Sequence, residues 1–289
     1  MGRELYERFD EARAVYSKAK SATGVDWAEI SFEADAETLS RTENTQPCLF
    51  LHGVAIVRSL GEKADYEGVA GHSLGEYTAL HIAGVLKFRE ALQAVIERGK
   101  LMSQAKSGGM IVPLGLDAKT IEDIVESLSA EGVIAVANLN APGQIVVSGE
   151  ESILDAATEK FGEGGAKRVV RLPVSGAFHS PLMEESGREM RKILEKVDFS
   201  SPVVPFYANV SGDREENPDD IRGLLIDQIT NPVRWIDLVK KMTEDGFDNY
   251  IEAGPGKVLR GLIKRISREV EMSGLSDVES IENYYKDLR

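Results

Sequence analysis

A serine sits at the centre of Gly71-His72-Ser73-Leu74-Gly75. Gly68-Val69-Ala70 before it can end a short buried strand, and Glu76 to Ala83 after it reads as a helix. Strand, G-x-S-x-G and helix together describe a nucleophile elbow, which presents a serine hydroxyl at the tip of a sharp turn. The glycines are expected because side chains would collide in so tight a bend. The helix start leaves backbone N–H groups free beside the serine, suited to a developing oxyanion. The competing reading is a glycine-rich turn whose serine only caps the helix.

A serine needs a base to attack a carbonyl near neutral pH. The chain has four histidines. His72 adjoins Ser73 in the turn, so its ring must point elsewhere. His81 lies about 12 Å along the helix. His52 falls inside an apolar helix and reads as a satisfied core residue. His179, in Gly176-Ala177-Phe178-His179-Ser180, lies between a strand and a helix start, where catalytic side chains gather. By elimination it is the best candidate for the base; the competing reading is a loop histidine that only hydrogen-bonds backbone. An ordinary hydrolase triad places its acid before a late histidine, yet more than a hundred residues follow His179 and no acid stands out as its partner. A main-chain carbonyl on Nδ1–H would fix the tautomer equally well.

Arg98 is the other residue with chemistry to offer. It lies beside Val95 and Met102 on a helix over 88–104, at the edge of the apolar stripe. Either its stem packs and its head is solvated, or it clamps a carboxylate through two parallel hydrogen bonds. A substrate with a free carboxylate next to an acyl carbonyl would use both Ser73 and Arg98. Gly254-Pro255-Gly256-Lys257 lacks phosphate-loop spacing and reads as a structural turn. The scattered histidines and single cysteine give no metal-ligand cluster.

These residues must be positioned by an ordinary globular chain. It has 289 residues, 42% hydrophobic and 28% charged, enough for one or two domains. A net charge of −14 argues against nucleic-acid binding, which needs a basic surface. Cys48 stands alone among apolar neighbours, so it reads as a core residue in a reducing compartment. The N-terminus has no signal-peptide run, and no stretch approaches a membrane span. A soluble, cytoplasmic monomer is expected.

The elements read as α/β. Helices are expected over 3–22, 47–60 (with Pro47 in the first turn) and 88–104. From Met110 the order is strand 110–114, helix 118–130, strand 133–136, turn 140–143, strand 144–148, helix 150–161 and strand 167–172, a ferredoxin-like β-α-β-β-α-β insert. A helix capped by Ser180 with Pro181 at its first position comes after it. Next come a strand over 203–208, a polar loop over 213–220, helices near 219–229 and 233–245, a strand at 249–252 and a helix over 257–268. The domains are therefore 1–106 with 173–289, and 107–172.

Taken together, Thr45-Gln46-Pro47, Gly71 to Tyr77, Glu97-Arg98-Gly99, Asn138 to Gln144, Gly176 to Ser180, Asn231 to Trp235 and Gly254 to Lys257 resemble the family of malonyl-CoA:acyl carrier protein transacylases and polyketide-synthase acyltransferase domains. The resemblance spans essentially the whole chain. It implies an α/β-hydrolase-like large subdomain with a ferredoxin-like insert. It also implies a Ser73–His179 dyad with His179 oriented by the Gln228 carbonyl, and no cofactor beyond malonyl-CoA as substrate. Arg98 would bind the malonyl carboxylate, with Gln46 in the substrate-binding set. The Leu74 N–H would be an oxyanion donor, Phe178 would disfavour branched extenders, and Asn138 and Asn140 would lie near the pantetheine channel. At its start the chain departs from the pattern. The family opens with a strand and a Gly-Gln-Gly-Ser-Gln loop carrying a second oxyanion donor, and Met1-Gly2-Arg3-Glu4-Leu5 matches the segment after that loop.

The implied partner is an acidic acyl carrier protein, which needs a basic docking patch. Candidates are Lys167, Arg168 and Arg171, with Arg188, Arg191 and Lys192. The rival functions are a serine thioesterase, using water as second nucleophile, and an inactive carrier-binding subunit with part of its oxyanion hole missing.

Overall fold

The computed structural model describes residues 1–105, 108–174 and 176–287. The N-terminal helices are α1 (Arg3–Arg8), α2 (Asp10–Thr23), α3 (Trp27–Glu33) and α4 (Ala36–Ser40). The expected helix over 3–22 is split, because Phe9 is extended (φ −117°, ψ 128°). Gly24 ends α2 in the left-handed region at φ 73°, where glycine lacks the Cβ penalty. Asp26 and Asp35 then cap α3 and α4 by accepting from Glu29 N–H and Thr38 N–H, a satisfaction of orphan donors that the apolar pattern alone does not reveal.

Helix α5 (Thr42–Leu60) begins earlier than expected and holds Pro47 in its interior. It is the central post of the main core, buried along nearly its whole second half. His52 lies there at 1% exposure, but neither ring nitrogen has a hydrogen-bond partner among the described residues, so it is a core histidine without being a satisfied one. Burial lowers its pKa to about 4, so the ring is neutral. Cys48 is fully buried in the same helix.

Strand β1 (Val69–Ala70) runs into the elbow, followed by α6 (Gly75–Ile82) and α7 (Phe88–Gln104). Next come β2 (Gly109–Leu114), α8 (Ala118–Leu128), β3 (Ile134–Ala141), β4 (Gln144–Gly149), α9 (Glu151–Glu163) and β5 (Arg168–Arg171). These four strands form one antiparallel sheet in the order β3-β4-β2-β5, with a separate apolar core between it and α8 and α9. The boundary expected at residues 106 and 107 lies outside the described residues.

The chain continues through a short 3-10 turn (Pro181–Met183) into α10 (Glu184–Leu194). Ser180 makes no capping bond there; its hydroxyl donates to Ala177 O at 2.5 Å. Then come β6 (Phe206–Tyr207), β7 (Arg214–Glu215), α11 (Pro218–Asp227), α12 (Trp235–Glu244), β8 (Asn249–Ala253), α13 (Val258–Ile266), β9 (Glu271–Leu275) and α14 (Val278–Asp287). The strand expected over 203–208 shrinks to two residues. Only Phe206 and Tyr207 are strand-paired, in parallel register with Val69 and Ala70, while Val203 is 78% exposed. A strand is defined by what it pairs with, not by its own apolar run. The remaining strands fall into two groups: β1-β6-β7, with β1 parallel and β7 antiparallel to β6, and the parallel pair β8-β9. Among the described residues, β1 and β8 are each strand-paired on one side only.

Candidate active site

The elbow is built by close backbone approach. A Cβ on Gly71 would collide with the carbonyl group of Gly75 and the amide of Glu76, so glycine is obligatory there. Gly75 differs from the expectation: a Cβ at that position meets nothing within 4 Å. Gly71→Ala is expected to cost about 3 kcal/mol of stability, because the clash is with backbone that cannot rotate away. Gly75→Ala should cost under about 1 kcal/mol. Thermal unfolding of the two variants checks the contrast.

Two non-glycine residues have positive φ among the described residues: Ser73 at 51° and His179 at 55°. Such backbone is held only where the surroundings over-determine it, and it gathers at functional sites. At Ser73 the clamp is Asn209, just beyond β6. Its Oδ1 accepts from the Ser73 N–H and its Nδ2 donates to Gly71 O, both at 2.7 Å. At His179 the flanking residues are tied by the Ser148 hydroxyl, which donates to Phe178 O at 2.6 Å, and by the Ser180 bond to Ala177.

The two strained residues meet. Ser73 Oγ lies 2.9 Å from His179 Nε2. On the other side of the ring, Nδ1–H donates to Gln228 O at 2.7 Å. Gln228 comes after the last turn of α11, where helix carbonyls lack intrahelical partners. One of these supplies the acceptor that a triad would take from a carboxylate. With Nδ1 protonated, Nε2 carries the lone pair and accepts the serine proton. Burial, reinforced by the nearby Arg98 cation, lowers the imidazole pKa to about 3 against the opposing Gln228 bond, so the resting ring is neutral.

Arg98 is not at the edge of a stripe with a solvated head. It is 1% exposed. Nη1 donates to Gln46 Oε1 at 2.7 Å, and Nη2 donates to Gln228 Oε1 at 2.9 Å and to Ser73 Oγ at 3.0 Å. Tyr77 lies under it, 5.6 Å from ring centroid to guanidinium. Its Nε–H is buried with no partner among the described residues. A buried cation left with an open donor can take an anion as partner. Nη2 also touches Ser73 Oγ, so an anion held on this guanidinium would lie close to the serine hydroxyl.

The elbow helix contributes a second charge. Glu76 is 2% exposed. Its Oε1 accepts from Asn209 N–H at 2.9 Å and its Oε2 accepts from Gln228 Nε2. Burial raises its pKa to about 7, against the Asn209 and Gln228 bonds and the Arg98 charge. Backbone N–H groups at the elbow divide by role: that of Ser73 is taken by Asn209, whereas that of Leu74 has no partner among the described residues.

The fold thus brings Ser73, His179, Gln228, Arg98 and Gln46 into one cluster. Phe178 is joined to it through the chain and packs between two cores. Asn140 reaches the elbow by another route, with Oδ1 2.7 Å from His72 Nε2. The His72 ring lies edge-on to Trp235, away from Ser73. Asn138 is 6% exposed and bridges Val233 through backbone. Among the described residues no three His, Cys, Asp or Glu side chains group to hold a metal, and no helix is long and apolar enough to cross a membrane.

A family model described as "Acyl transferase domain" matches residues 1–289. The chain belongs to the acyl transferase family. Malonyl CoA-acyl carrier protein transacylase of Bacillus subtilis (strain 168) is 39% identical over 287 residues, covering 98% of this chain and 90% of that protein. Acyl carrier protein S-malonyltransferase from Vibrio cholerae superposes with a TM-score of 0.94 at 36% identity, covering 98% and 94% of the two chains. A malonyl-transacylase solved in complex with its type II PKS acyl-carrier protein gives 0.93 at 34% identity, covering 99% and 94%.

Two members of this acyl transferase's site escape sequence reasoning. Glu76 had a local signal, as the lone acid of α6, three residues from Ser73. Asn209 had none, because its place beside the elbow depends on β6 pairing with β1.

Proposed function

We propose that this acyl transferase moves a malonyl group from malonyl-CoA to the phosphopantetheine thiol of an acyl carrier protein through malonyl-Ser73. The observation that carries this reading is Arg98 Nη2 at 3.0 Å from Ser73 Oγ. One buried cation beside the nucleophile selects an acyl group that ends in a carboxylate. The carboxylate takes the open Nε–H edge of Arg98. His179 Nε2 removes the Ser73 proton as Oγ attacks the thioester carbonyl. The tetrahedral oxyanion is held by the Leu74 N–H, and CoA leaves with the proton from His179. The carrier thiol then enters as second nucleophile and the same steps run in reverse. Gln46 holds the second arm of Arg98, and Phe178 narrows the acyl site against branching. Asn138 and Asn140 line the pantetheine approach. The protein works in the cytoplasm as a monomer.

We divide the chain into an α/β-hydrolase-like subdomain (1–106 and 173–289) and a ferredoxin-like one (107–172), a division supported by the separate cores. β1 and β8 are each strand-paired on one side only among the described residues, so either could pair with an opening strand of the kind the family has. The loop after that strand would hold the second oxyanion donor.

Incubation with malonyl-CoA is expected to add one malonyl group to the protein and none to Ser73→Ala, read by intact mass. Acetyl-CoA should give little adduct. Absence of a serine adduct would overturn the reading, and water-driven loss outpacing transfer to carrier protein would make the enzyme a hydrolase.

The docking candidates are sorted by their neighbours. Arg171 pairs with Glu151, Arg188 with Glu184 and Glu185, Arg191 with Asp227 and Lys192 with Glu189. Lys167 and Arg168 are exposed, and neither forms an ion pair among the described residues. The uncompensated charge is the one that attracts an acidic partner. Lys167→Glu with Arg168→Glu is expected to raise KM for carrier protein about tenfold at low salt and to leave the malonyl-CoA half-reaction unchanged.

A further inference from the structure

The buried polar groups behind the nucleophile form a directed chain. At one end the Asn209 N–H donates to Glu76 Oε1 at 2.9 Å. Glu76 Oε2 accepts from Gln228 Nε2, and that same Nε2 donates to Ser73 O at 2.9 Å. The opposite face of the Gln228 amide, Oε1, accepts from Arg98 Nη2 at 2.9 Å. A neutral amide therefore bridges a buried carboxylate and a buried guanidinium. Its direction is dictated at both ends: N–H₂ toward the anion, carbonyl toward the cation. Turning the amide over would set donor against donor at Arg98 and acceptor against acceptor at Glu76, with no water to relieve either. Both Glu76 oxygens accept, which fits the ionised carboxylate.

We propose that Glu76 is a positioning residue for substrate selection: through the Gln228 amide its carboxylate fixes where the Arg98 guanidinium points. This rests on the malonyl reading above for its kinetic consequence, though not for its structural one. The first link is immobile. Asn209 N–H is backbone and cannot reverse, so a glutamine at position 76 must keep its carbonyl there and present its NH₂ to Gln228. If Gln228 keeps its direction, its NH₂ meets that NH₂ and is driven off Ser73 O and Arg98 together; if it flips, its carbonyl faces Ser73 O and its NH₂ faces Arg98. Either way Arg98 Nη2 loses the acceptor that aims the guanidinium at the place where a carboxylate docks. Glu76 touches no substrate, yet its two accepting oxygens set the acyl preference.

The test uses Glu76→Gln and the double variant Glu76→Gln with Gln228→Glu. In the double variant the carboxylate introduced at position 228 accepts both from the amide introduced at position 76 and from Arg98; it gives up only the bond to Ser73 O, and the backbone carbonyl that orients His179 is untouched. The single variant is expected to lose about tenfold or more of the malonyl-over-acetyl preference in serine acylation, from one repelling buried donor pair. The double variant is expected to recover most of it. In the ligand-free proteins, the ¹⁵N-arginine spectrum should show the Arg98 Nε–H resonance displaced by Glu76→Gln and returned by the second change. An unchanged preference and resonance in folded Glu76→Gln would overturn the proposal. So would a loss that Gln228→Glu does not reverse. If Glu76→Gln does not fold, the double variant alone decides: parent-like preference supports the directed chain and lost preference refutes it. A parent that forms no malonyl-Ser73 would sink the functional reading instead, leaving the resonance comparison to judge Glu76.

Discussion

His179→Ala is expected to form malonyl-Ser73 about 10³–10⁴ times more slowly than the parent, from loss of the general base with the oxyanion donor and the Arg98 site still in place. The acceptor of the serine proton is Nε2 at 2.9 Å, and no other histidine can replace it: the His72 ring is engaged by Asn140 and His81 Nδ1 by Leu86 O. The pH dependence arises from the imidazole's surroundings. Burial and then the Arg98 charge depress its pKa to about 3, so the neutral, competent form persists far below the ordinary histidine range. Acylation should therefore show no acid limb near pH 6.5, the ordinary value for histidine. His179 loses its competence only as pH falls toward the lower value and the ring takes its proton; a limb near pH 7 would belong to Glu76, whose pKa burial raises to about 7. Removing Arg98 takes away the second of the depressing causes, so the acid limb of any residual acylation moves up in pH. Single-turnover acylation followed by intact mass across pH checks both statements; an ordinary histidine limb that persists in Glu76→Gln would contradict the first.

The second large effect is on selectivity. Arg98→Ala is expected to lower kcat/KM for malonyl-CoA by about 10³ or more while changing acetyl-CoA by less than about tenfold. The asymmetry arises because the carboxylate would enter a buried site without its counter-charge, whereas an acetyl group asks nothing of the guanidinium. Stability suffers as well. Gln46 Oε1 and Gln228 Oε1 lose their donors at a cost of about 1–3 kcal/mol each, so both substrates must be compared on protein shown to be folded. Arg98→Lys should not restore malonyl use. An ammonium cannot donate at once to Gln46, Gln228, Ser73 and a substrate carboxylate as the guanidinium fork does. An unchanged malonyl-over-acetyl ratio in Arg98→Ala would remove the arginine from substrate binding.

The chemistry of the elbow was legible because it is local. G-x-S-x-G between a strand end and a helix start constrains a few consecutive residues, and Gly71 is demanded by a clash within the same turn. Helix α7 was legible end to end, since its apolar period alone specifies it. Elements defined by their neighbours were less so. β1 and β6 are two residues each, and only their parallel pairing marks them. The split at Phe9, the short capped helices α3 and α4, β9 and α14 carry little periodic signal. The interior position of Pro47 in α5 results from a helix start at Thr42 that the apolar run does not announce.

The base is a mixed case. Elimination leaves His179, and the absence of an obvious acid already points to a carbonyl partner. That the carbonyl is that of Gln228 enters through the family resemblance; the structure supplies the reason, an unpartnered C=O after the last turn of α11. Arg98 could not be assigned from spacing, because a residue at the edge of an apolar stripe faces solvent or core depending on what packs over it. Here the neighbours are Tyr77, Gln46 and Gln228, separated from Arg98 by up to 130 residues of chain.

The serine turn and the histidine that faces it could be read from the chain, because they depend on residue type and on steric rules within a few bonds. The burial of Arg98, the clamp of Asn209 on the elbow and the direction of the Glu76–Gln228–Arg98 chain came from the folded arrangement alone. They depend on which distant groups share a water-free space, where each donor must find an acceptor and each charge its answer.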